Sequence, residues 1–484
     1  MKAFVLMLPA VLFSIIVFSQ GITGNWEGKL ETQGSKIPII FHISKDSADQ
    51  YIATFDSPDQ KAFNLPCSGV IVKEDSVALL MKILNGKYAG KLSDDKKQLT
   101  GRWYQAGGSL PLIVNKTGDK VTIKTIKRPQ TPVAPFAYRS EDVEYDNTDK
   151  SVHFGGTFTV PLPDTTINYF RAPIYPTVLL ITGSGMQDRD ESIMNHKPFA
   201  VIADYLTKQG IAVLRVDDRS MGKTTGVFAR STSADFANDV EAGINYLKTR
   251  NDVDKSNIGL LGHSEGGMIA PMVASRRSDI KFIVLLAGPG VKIAELMEQQ
   301  NVDVAASNGV SKKKLEQFRL LYRSIINAII NEKDTAIAKQ KATEAFLNWQ
   351  TDKSAALVKS TTGVSDEKSR LAYINNLVVT LSQPWYNYFL KFTPEDYLTR
   401  LQCAVLAING EKDIQVAAKS NLAAIKKALE KSKSVKYATV EMPGLNHLFQ
   451  HCKKCTIEEY GELEETFSPE VLGIISKWIK EVTQ

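Results

Sequence analysis

An apolar run, Ile258-Gly259-Leu260-Leu261, leads directly into Gly262-His263-Ser264-Glu265-Gly266, and a small-residue stretch from Gly267 through Ala270, Met272, Val273 and Ala274 follows. Strand, abrupt turn and helix form the local context that gives a G-x-S-x-G sequence physical meaning as a nucleophile elbow. The glycines let the chain reverse sharply, so Ser264 is expected in a tight turn, its hydroxyl exposed and a helix N-terminus beneath it. A chance match is the competing reading, because Gly and Ser are common residues. Partners elsewhere in the chain decide between the two.

A serine hydroxyl is a poor nucleophile near neutral pH and needs a base, with a further group to orient that base. On a sheet fed by such an elbow, the required chain order is serine, acid, histidine. Ala404-Val405-Leu406-Ala407-Ile408 reads as a later strand, and Asn409-Gly410-Glu411-Lys412-Asp413 follows it. Asp413 lies a few residues beyond the strand's carboxyl end, where a sheet gathers its chemistry, and is the expected acid. Glu411 is its rival, set in the tight turn after Gly410. The segment 435–440 reads as the last strand and gives way to Glu441-Met442-Pro443-Gly444-Leu445-Asn446-His447. His447 is the expected base, with His451 the competitor one helical turn onward. His263 is expected to pack or hydrogen-bond beside the nucleophile, and His196 lies in a loop that approaches the pocket in one reading. These histidines, with His153 at the start of a strand, lack the spacing of a metal site.

Acyl transfer also needs donors aimed at the oxygen that becomes negative. One expected donor is the backbone amide of Glu265; the other belongs to the turn Gly183-Ser184-Gly185 after the apolar strand 177–182, with Ser184 the first choice and Gly185 the second. A phosphate loop would need a Gly-Lys-Ser/Thr ending or a full G-x-G-x-x-G, and neither is present. Arg189 and Asp190, within Gln187-Asp188-Arg189-Asp190-Glu191, and Arg219, within Asp217-Asp218-Arg219, follow strands at the same sheet end. Such sets more often brace loops than do chemistry, the alternative being an arginine that faces a substrate carboxylate.

The chain's organisation accommodates this constellation. Residues 1–20 open with Lys2, run apolar from Ala3 to Phe18 apart from Pro9 and Ser14, and close on Ser19-Gln20. That is the pattern of a secretory signal peptide, an uncleaved anchor being the alternative. Export, periplasmic or secreted, is the expectation, with no stable membrane insertion after signal removal. From 21 to 128, short alternating runs such as Gly24–Leu30, Ile37–Ile43, Tyr51–Phe55, Gly69–Val72, Val77–Ile83 and Lys120–Ile126 predict about eight antiparallel strands in a small barrel or sandwich. His42 is its one histidine and reads as structural. Prolines 129, 132 and 135 mark a linker over 129–139. The stretch 140–484 alternates apolar strands with helical patterns at 199–208, 233–249, 266–276 and 469–482, as a mostly parallel sheet with helices on both faces requires. The segment 289–403 is too long for a strand-to-strand connection and reads as a helical cap, with helices at 294–305, 312–332, 336–350 and 366–381. Trp385-Tyr386-Asn387-Tyr388-Phe389 then either lines a pocket or docks the cap.

The formal charge of +6 falls to about +5 without Lys2. Lysine runs such as Lys312-Lys313-Lys314 read as solvated faces, with no interleaved aromatics for base stacking, so nucleic acid is not an expected partner. Among four cysteines, Cys452-Lys453-Lys454-Cys455 is the one close pair. A local disulfide, free thiols, and part of a metal or redox site all remain open for it. Cys67 and Cys403 are isolated.

Together, Thr182-Gly183-Ser184-Gly185 with Asp188-Arg189-Asp190, Asp217-Asp218-Arg219 with Gly222, and Gly262-His263-Ser264-Glu265-Gly266-Gly267 resemble the α/β-hydrolase superfamily. More narrowly they resemble exported bacterial serine esterases near the dienelactone-hydrolase and prolyl-oligopeptidase-like branch. The resemblance spans roughly 140–484. It implies Ser264 as nucleophile, Asp413 as acid and His447 as base, with amides of Ser184 and Glu265 forming the oxyanion hole. Thr182 departs from the histidine many relatives carry before the glycine, which leaves the backbone role intact. The expected activity is a carboxylesterase acting on a small-molecule ester, without metal or organic cofactor. Arg189, Asp190, Arg219, His263, Gly185 and Trp385 are pocket or bracing candidates. An amidase or peptidase, an acyltransferase, and, from another class, an envelope-polymer binding module carried by the N-terminal domain are the alternatives.

Overall fold

Alternating apolar and polar residues build an antiparallel meander in the first part of the chain. The computed structural model describes residues 21–484 apart from 33–34, 59–61, 82–83, 85, 106–107, 119–125 and 164–171. The segment 1–20 and most of the expected strand at 120–126 lie outside the described residues. The chain divides into two compact units, Met1–Thr125 and Ile126–Gln484.

The first unit holds β1 (Gly24–Thr32), β2 (Ser35–Lys45), β3 (Tyr51–Ser57), β4 (Ala62–Pro66), β5 (Gly69–Lys73), β6 (Ser76–Met81), β7 (Gly86–Leu92), β8 (Gln98–Gln105) and β9 (Gly108–Gly118). They form one sheet in the order β4-β3-β2-β1-β9-β8-β7-β6-β5. Phe41 on β2 and Tyr88 on β7 are four strands apart in that order, about 19 Å across a flat sheet, yet their rings lie 5.2 Å apart. Phe55 on β3 reaches Trp103 on β8 at 5.9 Å. The sheet therefore curls on itself, and buried Trp26, Phe41, Phe55, Tyr88 and Trp103 fill the concave side. His42 is tied to Asn25 at 2.7 Å and Asp56 at 3.1 Å.

The second unit carries β10 (Tyr138–Asp146), β11 (His153–Pro161), β12 (Tyr175–Ile181), β13 (Ala212–Val216), β14 (Val253–His263), β15 (Phe282–Leu286), β16 (Ala404–Gly410) and β17 (Tyr437–Met442). Their order is β10-β11-β13-β12-β14-β15-β16-β17. β10 and β11 pair antiparallel with each other and β11 with β13, and all later pairs are parallel. β15 and β16 are buried along their whole length because both faces are covered, whereas β10 at the sheet edge exposes charged residues such as Arg139 and Glu144. Leu179, Leu260, Ile283 and Val405 point to one core, and their neighbours Val178, Leu261, Val284 and Leu406 to the other.

The helices are α1 (Pro198–Lys208), α2 (Ser233–Thr249), α3 (Gly266–Ala274), α4 (Ile293–Ser307), α5 (Lys312–Ile329), α6 (Thr335–Gln350), α7 (Ala355–Thr362), α8 (Glu367–Leu381), α9 (Pro384–Leu390), α10 (Glu395–Leu398), α11 (Ala418–Leu429) and α12 (Pro469–Thr483). Proline opens α1 and α12, where its missing N–H costs nothing. A reciprocal Thr232–Asp235 capping box opens α2. Helices α5, α6 and α8 of the insertion pack around a core of their own, centred on Leu321, Ile325, Phe346 and Val378. Phe389 on α9 belongs instead to the core beneath the sheet. The aromatic segment 385–389 is thus helical, and one of its faces docks on the body.

The proline-rich passage is pinned rather than free within the second unit. Arg128 donates to the carbonyls of Leu463, Gly461 and Met194, and Gln130 exchanges hydrogen bonds with the backbone at Thr466 and Phe467.

Candidate active site

The parallel strands deliver their carboxyl ends to one edge, where a sheet of this winding opens a crevice. β14 ends at His263, and Ser264 takes a left-handed backbone, φ +54°. A non-glycine residue holds that conformation only when its surroundings enforce it. The enforcement is close packing: a Cβ on Gly262 would fall 2.0 Å from the Gly266 carbonyl oxygen, and one on Gly266 2.1 Å from the Ile181 oxygen. The Ser264 amide donates to the Leu286 carbonyl at 2.8 Å, and α3 begins two residues on.

Asp413 follows β16 in a loop whose amides close on its carboxylate. Oδ1 accepts from Gln415 N at 2.7 Å and Val416 N at 2.8 Å, which leaves Oδ2 for His447 Nδ1 at 2.7 Å. Both side chains are buried. With Nδ1 donating to the carboxylate, Nε2 carries the lone pair that a general base requires. Neither that nitrogen nor the Ser264 hydroxyl has a hydrogen-bond partner among the described residues. Acid and imidazole are therefore bonded, whereas hydroxyl and imidazole are not; catalytic contacts of this kind are often long until substrate is in place. The two rivals stand apart. Glu411 is exposed, pairing with Lys412 and the Gly444 amide. His451 is exposed against Glu465 at 2.9 Å.

The turn after β12 lies against the elbow: a Cβ on Gly183 would sit 3.3 Å from Ser264 Cβ. The Gly183 amide is already taken, donating to Glu191 Oε1 at 2.6 Å. The amides of Ser184, Gly185 and Glu265 have no partner among the described residues. Asp218 fixes the turn from beneath, accepting from the Thr182 hydroxyl at 2.8 Å and the Gln187 amide at 2.7 Å. Burial pushes its carboxyl up to about 8.

The charged candidates are consumed internally. Arg189 binds both oxygens of Asp217 and reaches Asp142, Thr157 and the Gly156 carbonyl. Asp190 pairs with Arg215 and, at 3.2 Å, with Lys197. Arg219 forms a two-pronged pair with Asp239 at 2.7 and 2.8 Å. Trp385 braces as well: its indole donates to Glu265 Oε1 at 2.9 Å, and the Ser233 hydroxyl donates to the same oxygen at 2.6 Å. Burial holds the Glu265 carboxyl above its usual range, against the pull of these bonds.

His263 is buried with both nitrogens occupied, 3.0 Å from Glu191 Oε1 and 3.0 Å from the His447 carbonyl oxygen. His196 is buried between Thr466 and the Tyr460 carbonyl. Burial, helped by the charge of Arg128, lowers its pKa to about 4. His153 lies exposed between Asp146 and Glu144. Cys452 and Cys455 are joined in a disulfide just past the base-bearing loop, and the Glu459 carboxylate accepts the amides of Lys453, Lys454 and Cys455. Cys67 and Cys403 are free thiols.

Ser233 had no assigned role in the sequence, and Glu191 and Asp218 stood there only within the sets read as loop braces. Glu191 and Asp218 follow strands at the active edge, but only the fold turns them inward; Glu191 carries a positive φ of 51° that no pattern announces.

Residues 195–448, just over half of the chain, match the family model described as serine aminopeptidase, S33. Esterase EstD of Thermotoga maritima is 36% identical over 126 residues, covering 26% of this chain and 30% of that relative, so the match spans about a third of its length. Among solved structures, the Pyrococcus furiosus esterase Pf2001 is similar at a TM-score of 0.42 with 14% identity, covering 75% of this chain and 100% of that one. Est1E of Butyrivibrio proteoclasticus, solved with ferulic acid bound, scores 0.37 with 15% identity, covering 70% and 97%. With its elbow, its buried acid–imidazole pair and the extent of the family match, the chain belongs to the serine aminopeptidase S33 family of the α/β-hydrolase superfamily.

Proposed function

We propose that the protein is a serine carboxylesterase that hydrolyses short-to-medium acyl esters through a covalent acyl-serine intermediate. The observation that carries this reading is the buried 2.7 Å bond between Asp413 and His447, at the sheet edge where Ser264 is held in its elbow. The esterase named among the relatives supports it.

In the proposed cycle the Ser264 hydroxyl attacks the ester carbonyl carbon while His447 Nε2 takes its proton. Asp413 holds the imidazole in its tautomer and stabilises the cation that forms. The tetrahedral oxyanion lies between the amides of Ser184 and Glu265. His447 then protonates the leaving alkoxide, and water, deprotonated by the same nitrogen, releases the acid. The narrower placement near the dienelactone-hydrolase and prolyl-oligopeptidase-like branch rests on the motifs at 182–190, 217–222 and 262–267. Export to the periplasm or beyond rests on the pattern of residues 1–20, and the Cys452–Cys455 disulfide favours an oxidising compartment.

A second reading, cleavage of amides or peptides, is favoured by the aminopeptidase description of the matching family. A panel of p-nitrophenyl esters from acetyl to octanoyl, set against aminoacyl p-nitroanilides with Ser264→Ala as blank, separates the two. Esters are expected to turn over faster; faster Ser264-dependent release from the anilides overturns the order.

A further inference from the structure

His263 sits between two groups that only accept hydrogen bonds. Its Nδ1 faces Glu191 Oε1 and its Nε2 faces the carbonyl oxygen of His447, each at 3.0 Å. Glu191 Oε1 already accepts the Gly183 amide at 2.6 Å, which marks that oxygen as an acceptor. A neutral imidazole has one N–H and would turn a lone pair toward one of these oxygens; the cation donates to both. The ring is buried, so an unmatched polar atom there has no water to turn to.

The three segments joined at this ring are the ones that the proposed acyl transfer needs in register. Glu191 holds the turn that presents the Ser184 amide. His263 immediately precedes the nucleophile on β14. The His447 carbonyl belongs to the base, whose ring lies 4.8 Å from that of His263. We propose that His263 is a positioning residue held as an imidazolium, which clamps the oxyanion turn, through Glu191, to the backbone of the base. The inference rests on the reading of Ser264, Asp413 and His447 as a catalytic triad.

The charge balance is consistent with this role. A lone cation beside His447 would oppose the second cation that forms there when the base takes its proton. Glu191 cancels that charge, so the clamp is neutral as a pair. The titratable groups facing the ring are Glu191, His447 and Asp413. Burial disfavours the charged ring, but Glu191, the His447 carbonyl and Asp413 together outweigh it and raise its pKa.

The test uses the full chain and two variants, Glu191→Gln and His263→Gln. Glutamine at 191 keeps the shape of the side chain but removes the counter-charge; glutamine at 263 cannot span both acceptors. In ¹⁵N-histidine NMR of the wild type at pH 7 to 8, one buried ring is expected to show both nitrogens protonated, a signature that disappears in both variants. With p-nitrophenyl butyrate, kcat is expected to fall about 10- to 100-fold in each variant, the scale of a small misplacement, with KM changing less than about threefold. The double variant is expected to fall no further than the worse single one, because the residues act as one unit.

A single N–H on that ring in the wild type overturns the proposal, and this measurement needs no variant to fold. So does kcat within about twofold of wild type in folded His263→Gln, even where melting temperature drops, because the residue is then structural only. Failure of the triad reading looks different. In that case wild-type Ser264 resists a fluorophosphonate, whereas the NMR signature is unaffected.

Discussion

Trp385 Nε1 donates to Glu265 Oε1 at 2.9 Å, which ties the docked helix of the insertion to the residue directly after the elbow serine. The same oxygen takes the hydroxyl of Ser233 at the start of α2. A buried carboxyl thereby joins three elements that are remote in sequence, and its own amide is a proposed oxyanion donor.

Trp385→Phe keeps the aromatic packing on Phe389, whose ring stacks at 4.9 Å, but removes this donor. Leaving a buried carboxyl one partner short costs about 1–3 kcal/mol. Urea unfolding is expected to show a lower midpoint with unchanged slope, and kcat to fall with it.

Asp413→Asn preserves volume and replaces the acceptor facing Nδ1 with an amide that no longer fixes the productive tautomer. The expected loss is about 10⁴-fold in kcat with near-native circular dichroism, as for the corresponding change in other serine hydrolases. Glu411→Gln, a change on the surface, is expected to leave kcat within about twofold.

His196 sets an acid limit on stability. In the folded chain burial keeps it neutral down to about 4, whereas in the unfolded chain it protonates near 6.5. As pH falls through that window the unfolded state binds the extra proton, so stability present above 6.5 is lost by about 4. The full loss is about 3 kcal/mol. Chemical denaturation at pH 7 and pH 4.5 is expected to show the drop, and His196→Gln to reduce it.

Reducing the Cys452–Cys455 disulfide opens a short loop, for which chain entropy accounts for about 2 kcal/mol. Glu459 holds the same backbone through three amides, so the turn is expected to keep its shape. Dithiothreitol should lower the melting temperature and expose both thiols to iodoacetamide, with kcat changed less than about twofold.

The centre of the second unit's sheet was legible because its strands there carry apolar runs, from Val178-Leu179-Leu180 to Val405-Leu406. The edges were less so. β14 begins at Val253, ahead of the apolar run at Ile258, because backbone pairing of Tyr175 with Val253 extends it. β17 starts at Tyr437 rather than 435, and Val435 is left 86% exposed. In the first unit, β4, β7, β8 and β9 had no separate signal, and nine strands lie among the described residues. β7, Gly-Lys-Tyr-Ala-Gly-Lys-Leu, buries Tyr88 alone and offers periodicity little to detect. Helix α7 is only eight residues, bounded by Ser354 and Gly363.

Chain order pointed to Asp413 and His447, and those two side chains meet in the fold. The supports around them were silent. Asp218 and the Glu265 side chain act through contacts with residues tens of positions away, as Glu191 does with His263, and nothing local in their sequence distinguishes them from surface acids. Arg189 and Arg219 read as loop braces more readily than as substrate contacts, but only the fold names their partners, Asp217 and Asp239.

The central claim is that Ser264 is a nucleophile activated by His447. Labelling the full chain with a fluorophosphonate and mapping the adduct by mass spectrometry tests it most directly. One adduct on Ser264, absent in Ser264→Ala and slowed at least about 10³-fold in His447→Ala, is the expected result. An unlabelled Ser264 in folded protein, or labelling at the same rate without His447, would contradict it.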